Sequence, residues 1–309
     1  MLRWMSVLLA LCMTACGTMR STAIVRRGGV PNEHVEIARL AQQVDSELQY
    51  LPVAAAFSAA VYVDAPLTTP LAQFEPKTAD ERDAIALLPS SGWVERTDAD
   101  LPRTKIAGKR QTPDLTYRLW VTTEGTPRVA MLVFRGTHIR ADWISNLRWF
   151  DSWWYPTEDH YEQTERITGD LVQWIHAHYG NDAIIYTAGH SLGGGLAQTA
   201  AYTACGDIRS VFAFDSTPVT RHRAANGCGA RRPREFWRVY EQSEILSYAR
   251  FVVRVLLDLK VARPQITELK VHLFPGVGVR GHSMLKLATE LKAKSAQTSV
   301  AARDALSAR

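Results

Sequence analysis

The feature that most constrains the fold of this chain is a glycine-bounded serine at the end of an apolar run. Ala183 to Thr187 (A-I-I-Y-T) has the length and composition of a buried strand. Gly189-His190-Ser191-Leu192-Gly193 follows, extended by Gly194 and Gly195, and Leu192 to Ala204 reads as a helix of small residues. A serine between strand and helix occupies a tight, strained turn whose close neighbours must lack side chains, a demand that Gly189 and Gly193 meet. The helix N-terminus behind the serine favours negative charge, and the backbone N–H of Leu192 points to where an oxyanion would form. In this strand–turn–helix context the G-x-S-x-G pattern marks Ser191 as a nucleophile. A purely structural glycine turn is the bland alternative.

The rest of the pattern is of one kind from Tyr117 onwards. Tyr117–Thr123 alternates as a strand, and Val129–Phe134 (V-A-M-L-V-F) is a continuous apolar run, as a central strand covered on both faces requires. Asp159–Tyr179 is an amphipathic helix, Ser210–Phe214 and Phe236–Tyr240 are strands, and Ile245–Leu259 is an apolar helix that Arg254 and Asp258 exclude from a membrane. Ile266–Phe274 is the last strand and His282–Leu291 the last helix. Strands alternating with helices predict an α/β fold with a largely parallel sheet and helices on both faces. Upstream, Glu33–Tyr50 has a helical apolar spacing with Asn32 as its cap, Pro52–Tyr62 reads as a buried helix, and residues 64–114 read as irregular surface with one short helix.

The N-terminus predicts an exported protein. Arg3 precedes a short apolar run, Val7–Met13, too short for the roughly 20 residues of a membrane span, and Thr14-Ala15-Cys16-Gly17 follows. The M-T-A-C junction resembles the lipobox of bacterial lipoproteins, in which the cysteine becomes the acylated first residue. An ordinary signal peptide is the alternative. Gly17 after the cysteine implies, by that resemblance, the outer membrane of a bacterial envelope. The expected layout is a signal peptide over 1–15, a tether over 16–32, one domain over 33–292 and a flexible tail over 293–309. With Cys12 lost and Cys16 lipidated, Cys205 and Cys228 remain as a disulfide pair in an oxidising compartment. The net charge of +5 is ordinary solubility charge. The cluster Arg231, Arg232, Arg234 and Arg238 lacks interleaved aromatics, so nucleic acid is not an expected partner.

Phe134-Arg135-Gly136-Thr137 closes the strand 129–134, where the backbone N–H of Thr137 is placed to be a second oxyanion donor. Taken together, F-R-G-T, then Asp142-Trp143-Ile144-Ser145-Asn146-Leu147, then G-H-S-L-G-G-G-L-A resemble the class 3 (fungal-type) lipase family over about residues 117–290. That resemblance implies an α/β-hydrolase fold, a triad in the order serine, acid, histidine, and ester hydrolysis of acylglycerols or phospholipids without a metal or other cofactor. It places Thr137 on the oxyanion position and His282 on the catalytic histidine. His272 competes, but it alternates within a strand pattern, and His190 is expected to point away from the serine. Glu244, which falls on the family's aspartate, is the expected acid, and Asp215, at the end of the strand 210–214 and of the residue type the family uses, is the alternative. The family's lid position holds Trp143, Trp149, Trp153 and Trp154, which read equally as a mobile lid or as fixed packing. The expected function is a lipid-anchored serine esterase, lipase or phospholipase acting on a lipid or ester substrate. An acyltransferase with the same triad and a silent envelope lipoprotein are the alternatives, and no protein partner is indicated.

Overall fold

The computed structural model describes residues 22–27, 30–36, 47–97, 99, 101–103, 115–136, 160–217, 235–241, 266–273 and 282–307. Nine strands form one sheet: β1 (Thr22–Arg27), β2 (Val30–Glu36), β3 (Trp93–Arg96), β4 (Tyr117–Thr122), β5 (Val129–Phe134), β6 (Ile184–His190), β7 (Ile208–Phe214), β8 (Glu235–Glu241) and β9 (Ile266–Val271). Their order across the sheet is β2-β1-β9-β8-β7-β6-β5-β4-β3. The five strands from β5 to β9 are parallel, and antiparallel strands finish both edges. Five α-helices are described: α1 (Leu51–Ala60), α2 (Ala79–Ala86), α3 (His160–Tyr179), α4 (Leu192–Thr203) and α5 (Met284–Ser307). This is the α/β architecture, with a mostly parallel sheet, that the alternation of strands and helices predicts, and it fits the α/β-hydrolase fold that the resemblance implies. Among the described residues no helix is long and apolar enough to cross a membrane.

The pleat of the central strands sorts side chains into two cores. Met131, Val133, Tyr186, Ala188, Phe212 and Phe214 face α1 and α5. Leu132, Phe134, Ile185, Val211 and Ala213 face α3 and α4. Strands covered on both faces must be apolar on both, which explains the unbroken run of β5. Helix α1 reaches the sheet closely because Ala54, Ala55, Ala56, Ala59 and Ala60 are small and buried, and Phe57 stacks on Trp120 with ring centroids 4.3 Å apart. Helix α2 opens with a capping box between Thr78 and Glu81, and the Lys292 ammonium of α5 donates to the carbonyls of Ala86 and Leu87 at its other end. At the opposite edge, Arg118 of β4 forms a buried ion pair with Glu95 of β3 and donates to the Ala65 carbonyl at 2.7 Å, while Leu71 N–H donates to Glu95 Oε2 at 2.7 Å.

Four expectations are corrected. The segment 16–32 is not a tether throughout, because β1 and the start of β2 lie within it, and the helix expected from Glu33 begins instead as strand up to Glu36. The physical reason is non-local: β1 finds its hydrogen-bond partners on β9, far along the chain, and Pro31 is tolerated in β2 because that strand is at the sheet edge. The domain therefore begins before residue 33. The tail from 293 continues α5 to Ser307. Residues 64–114 also contain a strand, β3, besides the short helix. The helix expected over 245–259 lies outside the described residues.

Candidate active site

The parallel strands deliver their C-terminal ends to one edge of the sheet, and the candidate residues collect there. Ser191 sits between β6 and α4 with φ 58° and ψ −123°, a left-handed conformation that an L-residue holds only under tertiary constraint. The constraint is visible. Ser191 N–H donates to the Phe214 carbonyl at 3.0 Å, and the Ser191 carbonyl accepts from Gly194, Gly195 and Thr217 at 3.1, 3.3 and 3.2 Å. A Cβ on Gly189 would collide with the Gly193 carbonyl, and one on Gly193 would collide with the Phe134 carbonyl, so the turn closes only on glycine. The N-terminal end of α4 lies directly behind the serine.

Asp215 follows β7 and is fully buried with φ 40°. Its N–H donates to the Val239 carbonyl at 2.8 Å, and its Oδ1 accepts from the Glu241 N–H at 2.8 Å. His282 precedes α5 and is partly exposed. The structure brings His190, Asp215 and His282 together: one nitrogen or carboxylate oxygen from each lies within 4.8 Å of the others. The His190 ring is 4.5 Å from that of His282, centroid to centroid. His190 therefore does not point away, as expected from the sequence, but packs against the candidate base. The cause is Tyr62, just past α1, whose hydroxyl lies 3.0 Å from His190 Nδ1 and donates to the His190 carbonyl at 3.3 Å. Burial, and then the charge of His282, hold the His190 imidazole well below its ordinary pKa, so it is neutral at physiological pH. Burial likewise raises the Tyr62 phenol, against a backbone hydrogen bond from Gly136 and the positive charge of Arg135.

His272 falls just after β9, and its Nδ1 is 3.0 Å from Oε1 of the fully buried Glu241, whose Oε2 accepts from Leu273 N–H at 3.1 Å. Sequence reading missed Tyr62 and Glu241. Tyr62 had one signal, a phenol closing an otherwise small and apolar helix. Glu241 had none beyond its place at a strand end. Among the residues expected at the site, Ser191, Leu192, Asp215 and His282 are described. Thr137, Glu244, Trp143, Trp149, Trp153 and Trp154 lie outside the described residues, as do Cys16 and Cys228. Cys205 follows α4 at φ 52° and is disulfide-bonded. Two imidazoles and a carboxylate are the one group in the described residues able to hold a metal ion.

A family model described as phospholipase-like, the Tle-like phospholipase domain, matches residues 53–235, more than half of the chain. That span runs from α1 to the start of β8 and includes Tyr62, Ser191 and Asp215. No curated protein matches the chain.

Proposed function

Because the chain belongs to the Tle-like phospholipase family, we propose that it is a serine hydrolase that cleaves an acyl ester of a phospholipid, with Ser191 as nucleophile, His282 as base and Asp215 as the acid. The observation that carries this reading is Ser191 held at a left-handed φ at the sheet's C-terminal edge, where Asp215 and His282 also converge. Ser191 Oγ attacks the ester carbonyl carbon while His282 takes the hydroxyl proton. The carbonyl oxygen becomes an oxyanion facing the Leu192 N–H, with Thr137 as the second donor, and the N-terminal end of α4 supports its charge. The intermediate collapses, the C–O bond to the alcohol breaks, and His282 returns the proton to the leaving lysophospholipid. Water then cleaves the acyl-serine by the same steps in reverse roles. Asp215, fixed by the Glu241 N–H, orients the imidazole and stabilises its charged form.

A second reading rests on the hydrogen-bonded pair of Glu241 and His272 at the same sheet edge. In it, His272 is the base and Glu241 the acid. Both readings are tested together. Ser191→Ala should abolish fluorophosphonate labelling and fatty-acid release from phosphatidylcholine and phosphatidylethanolamine vesicles, lowering turnover by about 10⁶-fold. His282→Ala should follow it and His272→Ala should not. The reverse ranking moves the base to His272, and full activity in Ser191→Ala ends the serine-hydrolase reading. The M-T-A-C-G junction further supports export and acylation of Cys16, with the outer membrane as destination. Mass spectrometry of the mature N-terminus decides this, and a mature chain starting anywhere but Cys16 refutes it. The four tryptophans of 143–154 are proposed as an acyl-facing lid, for which greater losses on vesicles than on soluble esters in Trp153→Ala and Trp154→Ala are the test.

A further inference from the structure

We propose that His190, Asp215 and His282 form a binding site for a zinc ion, and that zinc held there stops the hydrolysis by occupying the base and its acid. The inhibitory half rests on the reading above; the binding half does not. Hydrolysis uses only two of these three residues, so the third asks for a reason. His190 is buried, and its Nε2 has no hydrogen-bond partner among the described residues, although it lies in the cluster with the other two. A buried nitrogen left without a partner is costly, and a ligand that accepts its lone pair removes the cost.

Tyr62 sets which nitrogen carries that lone pair. Its oxygen takes a backbone hydrogen bond from Gly136, and its own proton goes to the His190 carbonyl at 3.3 Å. With that proton so placed, His190 Nδ1, 3.0 Å from the same oxygen, is assigned as the donor, and Nε2 is then left unprotonated. A histidine that ligates a metal almost always gives its other N–H to a fixed acceptor in this way, and Tyr62 is that acceptor. Two imidazoles with one carboxylate are a donor set suited to zinc, which takes three protein ligands and keeps a fourth position for water. Zinc bonds of about 2.0–2.2 Å would set the ligand atoms about 3.3–3.5 Å apart. The three atoms, now within 4.8 Å of one another, must therefore close slightly. His282, partly exposed ahead of α5, is the least buried of the three ligands. Once zinc holds an imidazole nitrogen of His282 and a carboxylate oxygen of Asp215, the lone pair that takes the serine proton and the charge that steadies it are both engaged.

The test is a titration of the metal-free full chain with ZnCl2, read by hydrolysis of p-nitrophenyl butyrate. In parallel, CoCl2 is titrated and read by the visible absorption of Co(II) bound to imidazole. The expected result is saturable one-to-one binding with complete inhibition that EDTA reverses. Tyr62→Phe keeps all three ligands and should weaken binding by about 10-fold or more through loss of the outer partner. His190→Asn should abolish the Co(II) band, with circular dichroism confirming that the variant is folded. No Co(II) band at millimolar metal, or a band unchanged in folded His190→Asn, overturns the site. If zinc binds in a His190-dependent manner but hydrolysis persists, the site stands and the assignment of His282 as base falls. If zinc raises the activity, the inhibitory role is overturned.

Discussion

Ser191 holds a positive φ because its N–H and carbonyl are claimed by Phe214, Gly194, Gly195 and Thr217, all in place before any substrate arrives. Those bonds depend on glycines at 189 and 193, which is why this part of the site was legible in the sequence. Local sterics dictated it. The proposed acid was legible only as the alternative to Glu244, because what pairs with the base is chosen by tertiary placement: β7 brings Asp215 beside His282, and no spacing rule reveals that. The consequence is a ranking of two variants. Asp215→Asn should keep the fold and lower kcat by roughly 10³–10⁴-fold, since the imidazole loses its fixed tautomer and its charge partner, whereas Glu244→Gln should be mild. Steady-state kinetics on a soluble ester checks this, and the opposite order returns the acid to Glu244. His190 bears on stability as well. Its pKa is depressed in the fold relative to the ordinary 6.5, so the unfolded chain binds the proton more readily. The stability that its neutrality contributes is therefore complete above about pH 6.5 and is lost as the pH falls through the lowered folded value. Urea midpoints measured from pH 7 down to pH 5 should decline, and less steeply in His190→Asn. Parallel slopes in the two proteins would remove His190 as the cause.

At the scale of elements, the interior strands were legible and the edges were not. Strands β5, β6 and β7 are buried on both faces, so their sequences are mostly apolar, without a break in β5, and their type follows from length and composition. Strand β2 has no such run: V-P-N-E-H-V-E carries its strand identity in pairing with β1. The apolar spacing read as a helix continues beyond it over 37–46, which lie outside the described residues. Strand β3 was missed for a related reason. What fixes it is the buried pair between Glu95 and Arg118, whose side chains are 6% and 2% exposed and which also anchors the loop at 65–71. Glu95→Ala should strand the guanidinium without a counter-charge and cost about 3–5 kcal/mol, with a fall in Tm on the order of 10 °C. The less buried pair of Arg209 and Glu47 offers the contrast, since the side chains are 35% and 18% exposed. Glu47→Ala should change stability by less than about 1 kcal/mol. Thermal unfolding of both variants separates them. Equal effects would mean that the β3–β4 edge does not depend on its ion pair.

At the scale of the whole molecule, the N-terminal hairpin changes what a lipid on Cys16 would do. Only five residues lie between Cys16 and Thr22, the first residue of β1, and a trans chain spans at most about 3.6 Å per step, or roughly 20 Å over the six steps. The long tether read from the sequence would let the catalytic domain swing freely. A short one ending in a strand of the central sheet holds that domain against the bilayer. A hydrolase held there meets its phospholipid at a high effective concentration instead of by diffusion from solution, and the gain has nothing to do with the chemistry at Ser191. Cys16→Ser, exported through an unrelated cleavable signal, should therefore release fatty acid from dilute phospholipid vesicles about 100-fold more slowly than the acylated protein reconstituted into the same vesicles. Its turnover of a soluble p-nitrophenyl ester should match that of the acylated protein in detergent, because Cys16 takes no part in the site. A further variant with twenty glycine and serine residues inserted after Gly17 keeps the lipid but loosens the tether, and it should fall between the two on vesicles. Identical vesicle rates in all three would show that the anchor does not deliver the site to its substrate. An intermediate rate for the lengthened tether would instead tie the advantage to the closeness that β1 imposes.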